Sequence, residues 1–187
     1  MKLFKYIIRR FYYFKSFLKF KSVGTNVILS SGGYIIRPEE ITFGNNVFIA
    51  RRFYISARDL KFGNNIMIGP NVVIECDNHS YSIPGKTLFE VSNKRKIDPI
   101  TIENDIWIGA NVTILPGTVI REGTVIGAGS VVTKSMPPYT ICIGIPCHPI
   151  KTRFSYANLK IHLQSISSNY SFEEIINFWQ DYKLNDI

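Results

Sequence analysis

The sequence predicts an all-β solenoid, a parallel β-helix of about four to five coils with an amphipathic helix before it and a helix after it. Three observations carry this. From Ile102 an aliphatic residue returns at every sixth position, through Ile108, Ile114, Ile120 and Ile126 to Val132. The same spacing runs upstream at Phe43, Ile49 and Ile55 and, after a slip of one residue, at Phe62, Ile68 and Ile74. Gly and Asn recur between these positions, as in Gly44-Asn45-Asn46 and Gly63-Asn64-Asn65, where tight turns need left-handed backbone. A period of six is neither helical nor bare strand alternation, although two divides it. It reads as short strands separated by turns, with the aliphatics stacked coil upon coil into one interior column.

The elements follow in order. In residues 1–22 the side chains of Phe4, Ile7, Phe11, Phe14 and Leu18 share one helical face, with Lys2, Lys5, Arg9 and Lys19 largely opposite. Such a segment suits a membrane interface, and it equally suits packing on the β-helix or on a neighbouring copy. Residues 23–41 make a ragged first turn, followed by coils at 43–60, 62–79, 102–119 and 120–137, so the β-helical unit is 23–153. Between Ile74 and Ile102 the repeat is interrupted by a loop, 77–98, too long for a regular solenoid unless it has a function or is disordered. Residues 154–187 form a C-terminal helical segment, where Ser171 and Glu174 make a capping box ahead of the apolar stripe Phe172, Ile175, Ile176 and Trp179.

Composition narrows the function. The 187 residues suit one domain, and the net charge of +8 invites a nucleic-acid reading. Residues 1–38, however, carry eight basic residues and no acid, while the remainder balances fourteen against fourteen. The body is neutral, which argues against a basic nucleic-acid-binding domain. Three cysteines without a C-x-x-C pair suit neither a disulfide framework nor a zinc knuckle, and reduced thiols in cytoplasm are expected. Lys5, Arg9, Arg10, Lys15 and Lys19 interrupt any signal-peptide core or membrane span near the N-terminus.

The runs Ile106-Trp-Ile-Gly-Ala-Asn-Val-Thr-Ile-Leu-Pro-Gly117, Ile126-Gly-Ala-Gly-Ser-Val-Val-Thr-Lys134, Pro137-Pro-Tyr139 and Gly144-Ile-Pro146 resemble the hexapeptide-repeat acyltransferases, and within them the short sugar and polysaccharide O-acetyltransferases. The resemblance covers residues 23–153. It implies a left-handed coil, a homotrimer with active sites between adjacent β-helices, acetyl-CoA as donor, a sugar or glycan acceptor, and no metal. His79 stands in Asp77-Asn78-His79-Ser80-Tyr81, which matches the family's catalytic-histidine loop. An imidazole suits a base that takes the proton of an attacking hydroxyl near neutral pH. Asp77, Glu75 or a backbone carbonyl could orient its second nitrogen, and the sequence leaves these three open.

On the donor side the resemblance places Ala110 and Ala128 along the pantetheine arm, with the Ala110 amide as oxyanion donor. It places Thr133 and Lys134 at the coenzyme's far end, and His148, Lys151 and Arg153 toward its phosphates. His148 and Lys151 stand where close relatives often carry arginine. The acceptor candidates are Arg51, Asp77, Asn78 and Trp107. Arg51 falls where neutral-sugar members carry asparagine, which suggests an acceptor bearing acid or phosphate. Competing readings are an N-acetyltransferase of an amino sugar and a non-catalytic scaffold. A zinc carbonic anhydrase is disfavoured, since of His79, His148 and His162 only the first lies within the repeats.

Overall fold

The computed structural model describes residues 19–56, 58–92 and 95–184. Five complete coils stack, and a sixth begins. The first is β1 (Ser22–Val23), β2 (Val27–Leu29) and β3 (Tyr34–Ile36); the second is β4 (Ile41–Phe43), β5 (Val47–Ile49) and β6 (Tyr54–Ser56). The third is β7 (Leu60–Phe62), β8 (Ile66–Ile68) and β9 (Val73–Glu75), followed by the hairpin strands β10 (Asp77–His79) and β11 (Arg95–Ile97). The fourth is β12 (Thr101–Ile102), β13 (Ile106–Ile108) and β14 (Thr113–Ile114), and the fifth β15 (Val119–Ile120), β16 (Val125–Ile126) and β17 (Val131–Val132). The sixth has one bridging residue, Met136 beside Ile120, and β18 (Thr140–Gly144), on which β19 (Cys147–Thr152) folds back antiparallel. The count thus runs slightly beyond the expected four to five coils, because the repeat persists through Pro137-Pro138 for most of another turn.

The strands form three parallel sheets, the walls of a triangular prism. Sheet A is β1-β4-β7-β12-β15, sheet C is β3-β6-β9-β14-β17, and sheet B is β2-β5-β8-β13-β16-β18 with β19 at its edge. The six-residue aliphatics are in register and buried. Ile49, Ile68, Ile108, Ile126 and Cys142 stack behind sheet B, and Phe43, Phe62, Ile102 and Ile120 behind sheet A. Close coil stacking constrains the corners. A Cβ at Gly69 would stand 2.7 Å from the amide of Ala110, and one at Gly109 would stand 2.6 Å from the amide of Ala128. At the A–B corner Asn26, Asn46 and Asn65 adopt left-handed backbone, and Asn26 Nδ2 donates to Asn46 Oδ1 at 3.0 Å and Asn46 Nδ2 to Asn65 Oδ1 at 2.9 Å.

Irregularity collects on one edge, between sheets C and A. The first coil inserts a 3-10 turn there, Pro38–Glu40, the second has an extra residue between β6 and β7, and the third inserts the whole hairpin. The slip in the sequence repeat is this extra residue. The expected loop 77–98 is anchored by paired strands, with Asp77 opposite Ile97 and His79 opposite Arg95.

The C-terminal segment contains two helices where one was expected, α1 (Tyr156–Ser165) and α2 (Phe172–Asp181). α1 has no apolar stripe to announce it and buries only Leu159; Ser155 caps it by accepting from the Asn158 amide. α2 buries Ile175 and Trp179, and the Trp179 indole donates to the Pro138 carbonyl at 2.8 Å. A buried carboxylate clamps this segment to the stack. Glu122 accepts from Tyr139 Oη (2.7 Å), Asn169 N (3.1 Å), Asn104 Nδ2 (3.2 Å) and the Ser168 hydroxyl. Residues 1–18 of the expected N-terminal helix lie outside the described residues, and at its end Ser22 already belongs to β1. No described helix is long and apolar enough to cross a membrane.

Candidate active site

His79 ends β10 and is exposed, as a residue that meets an acceptor must be. Its Nδ1 lies 2.8 Å from the carbonyl oxygen of Ser92, on the far arm of the hairpin. A carbonyl only accepts, so Nδ1 donates this bond, and Nε2 is the ring nitrogen whose proton is not fixed by it. Of the three orienting groups left open by the sequence, the backbone carbonyl fills the role. A compact turn fixes that carbonyl: Thr87 N and Oγ1 donate to Glu90 Oε2 at 2.8 and 2.9 Å, and Ser92 Oγ donates to the Phe89 carbonyl at 2.7 Å. These bonds to Thr87 hold the Glu90 carboxyl below its ordinary pKa. Nothing in the sequence pattern singled out Ser92, because a carbonyl is common to every residue.

The side chain of Asp77, expected as an acceptor contact, is only 10% exposed and lies 3.2 Å from Arg37 Nη2 and 3.5 Å from Arg58 Nε. Glu40 joins the cluster, 3.6 Å from Arg37 and 3.4 Å from Arg58. These ion pairs tie the irregular C–A corners of three coils together beneath the hairpin. Glu75 is also drawn inward: burial raises its carboxyl pKa, partly offset by a hydrogen bond from Ser56. Asn78 is exposed and opposite Lys96 in the hairpin.

The donor candidates divide between two edges. Ala110 and Ala128 stack at the B–C corner, one coil apart, and neither amide has an acceptor among the described residues. His148 and Lys151 are exposed on β19, with His148 Nδ1 3.1 Å from the Pro146 carbonyl. Thr133 and Lys134 are exposed on the C–A edge, two coils beyond the hairpin that bears His79. Arg153 Nη1 donates to Asp105 Oδ2 at 2.6 Å and to the Gly123 carbonyl at 3.0 Å. Trp107 stands on the outer face of sheet B, 54% exposed, in a column with Ile28, Phe48 and Met67. Arg51 is exposed at the B–C corner of the second coil. One chain therefore does not bring His79 together with the Ala110–Ala128 amides.

Among the described residues no three His, Cys, Asp or Glu side chains converge as metal ligands. The three cysteines are free and buried; burial pushes the thiol of Cys76 up to about 11 and that of Cys142 up to about 12.

The described residues thus form a parallel β-solenoid, a prism of three parallel sheets with a histidine-bearing hairpin at one edge and two amides without acceptors at another. Residues 99–134 match the family described as bacterial transferase hexapeptide (six repeats). The chain is 35% identical over 136 residues to the galactoside O-acetyltransferase of Escherichia coli strain K12, covering 71% of this chain and 64% of that protein. It therefore spans slightly less than two thirds of that relative's length. Among solved structures it resembles a maltose O-acetyltransferase from Clostridium difficile 630, with TM-score 0.63 and 34% identity over 72% of this chain and 71% of that one. A galactoside acetyltransferase in complex with coenzyme A gives TM-score 0.64 and 33% identity, covering 72% of this chain and 66% of that one. The chain belongs to the bacterial hexapeptide-repeat transferase family.

Proposed function

We propose that the protein is an acetyl-CoA-dependent O-acetyltransferase that acts on a sugar hydroxyl of a surface polysaccharide or of its lipid- or nucleotide-linked precursor. The observation that carries this reading is His79 with Nδ1 on the Ser92 carbonyl and Nε2 free to act as a base. Nε2 takes the proton of the acceptor hydroxyl as its oxygen attacks the thioester carbonyl. The Ala110 amide donates to the resulting oxyanion. Collapse breaks the carbon–sulfur bond, and the imidazolium returns its proton to the departing thiolate. The products are an O-acetyl sugar and free coenzyme A, with no covalent enzyme intermediate.

The division of the site between two edges supports a homotrimer in which one copy's hairpin faces the amides of the next. The apolar column Ile28, Phe48, Met67 and Trp107 on sheet B supplies a face suited to that contact. The basic, aromatic N-terminal sequence supports attachment to the inner face of the cell membrane, where a lipid-linked acceptor would be met.

The test is thiol release from acetyl-CoA across a panel of sugars, with mass spectrometry of the products. The reading expects an adduct of one acetyl group that mild alkali removes. An alkali-stable adduct would assign N-acetylation instead, and no thiol release with any acceptor would leave a scaffold.

A further inference from the structure

The B–C corner of the second coil holds two adjacent arginines whose charge no carboxylate neutralises among the described residues. Among the described side chains, Arg37, Arg58 and Arg153 are paired with carboxylates, and Arg121 donates to the Met136 carbonyl. The side chains of Arg51 and Arg52 have no ion pair, hydrogen bond or ring contact among the described residues, although their backbone joins the coil ladder, Arg52 N to the Ser31 carbonyl and Asn71 N to the Arg51 carbonyl. Arg52 also has left-handed backbone, φ 59°. The equivalent corner positions of the other coils are Gly32, Asn71, Asn111 and Gly129, the residue types that tolerate this conformation. An arginine there works against local preference, and such departures collect at functional sites.

The surroundings suit a sugar. Tyr34 and Tyr54 project side by side from the adjoining outer face of sheet C, 62% and 37% exposed, with ring centroids 5.9 Å apart and planes 20° apart. The first-coil corner beside them is bare backbone, Gly32-Gly33, and the stem of Arg52 lies over it, its Cγ 3.4 Å from where a Gly32 Cβ would stand. On the same edge the Ala110 amide is two coils away, about 10 Å at ordinary strand spacing. A sugar held at the second coil can therefore extend toward the donor.

We propose that Arg51, Arg52, Tyr34 and Tyr54 form an acceptor subsite for an anionic sugar, the arginines taking its carboxylate or phosphate and the tyrosines its apolar ring face. Guanidinium forks suit both anions, and aromatic faces suit the C–H surface of a pyranose. This rests on the O-acetyltransferase reading and adds the class of acceptor.

The test compares three probes, galacturonate, galactose 1-phosphate and galactose, on the full-length protein and on R52N and R51Q/R52N. Asparagine is already the corner residue at 71 and 111, so R52N should fold with an unchanged or higher Tm. In the wild type, kcat/KM for at least one anionic sugar should exceed that for galactose by about 10–100-fold, the size of a charge-assisted hydrogen bond. The two anionic arms show whether carboxylate or phosphate is read. In R51Q/R52N the anionic-to-neutral ratio should fall to about one with Tm retained. Equal or better use of galactose by the wild type, or a ratio that survives both substitutions, overturns the subsite. Saturation-transfer NMR of the same three sugars reads binding without turnover. An anionic preference there, lost in R51Q/R52N, upholds the subsite even if transfer fails and the acetyltransferase reading falls. No such preference sinks the subsite alone.

Discussion

The imidazole of His79 is held by the carbonyl of Ser92 at 2.8 Å, across thirteen residues of inserted hairpin. The orienting group is thus a piece of backbone, and its position depends on the Thr87–Glu90 turn. Replacing Thr87 by Val and Glu90 by Gln removes the hydroxyl bond of that turn and the charge behind its amide bond, without touching His79. The expected result is a fall in kcat of roughly 10-fold with KM for acetyl-CoA little changed, since small misplacements of a reacting group are costly. Steady-state kinetics of T87V/E90Q check this; a KM effect with kcat intact would assign the turn to donor binding.

The cysteines should be silent in the native protein. With thiols raised to about 11 at Cys76 and about 12 at Cys142, and Cys147 also raised by burial, little thiolate exists at pH 8. A disulfide-exchange reagent should label almost none of them in the folded state and three per chain after denaturation.

Acid should loosen the C-terminal helices by a route that can be isolated. Ser171 N and Oγ donate to Glu174 Oε2 at 2.7 and 2.9 Å, and these bonds hold its carboxyl below the ordinary 4.5. A depressed acid contributes stability that is full above the unfolded-state value and fades as pH falls through the lower folded-state value. Melting followed by circular dichroism should show a smaller Tm loss between pH 6 and pH 3 in E174Q than in the wild type. Equal losses would show that the capping box is not what acid removes.

The stacked interior can be tested at Ile108, fully buried between Ile68 and Ile126. Ile108→Ala should cost about 2–5 kcal/mol, because coils locked by backbone hydrogen bonds collapse poorly around a cavity. A Tm drop on the order of 10 °C follows for a chain of this size.

The interior column was the most legible part of the molecule. A coil buries the same kind of residue at the same phase, so Ile102, Ile108 and Ile114 announce three walls at once. The irregular C–A edge was visible only as a slip and an interruption. Its ion-pair cluster joins Arg37, Glu40, Arg58 and Asp77 from separate coils, and no local pattern links them. For that reason the pairing of Asp77 with Arg37 and Arg58 is not legible from the histidine loop in which Asp77 stands. The helix α1 escaped because its fixed points are a cap at Ser155 and one buried leucine, Leu159. The pairing of Arg153 with Asp105 is equally invisible in the sequence, because the two residues lie 48 apart.

The claim that His79 is the base in acetyl transfer is tested most directly by the turnover of His79→Ala on an acceptor the wild type uses. Circular dichroism should show the fold retained, since the exposed ring has one hydrogen bond. The expected result is a loss of about 10²–10⁴-fold in kcat, the contribution of a positioned base. A variant that releases thiol within about twofold of the wild-type rate would contradict it.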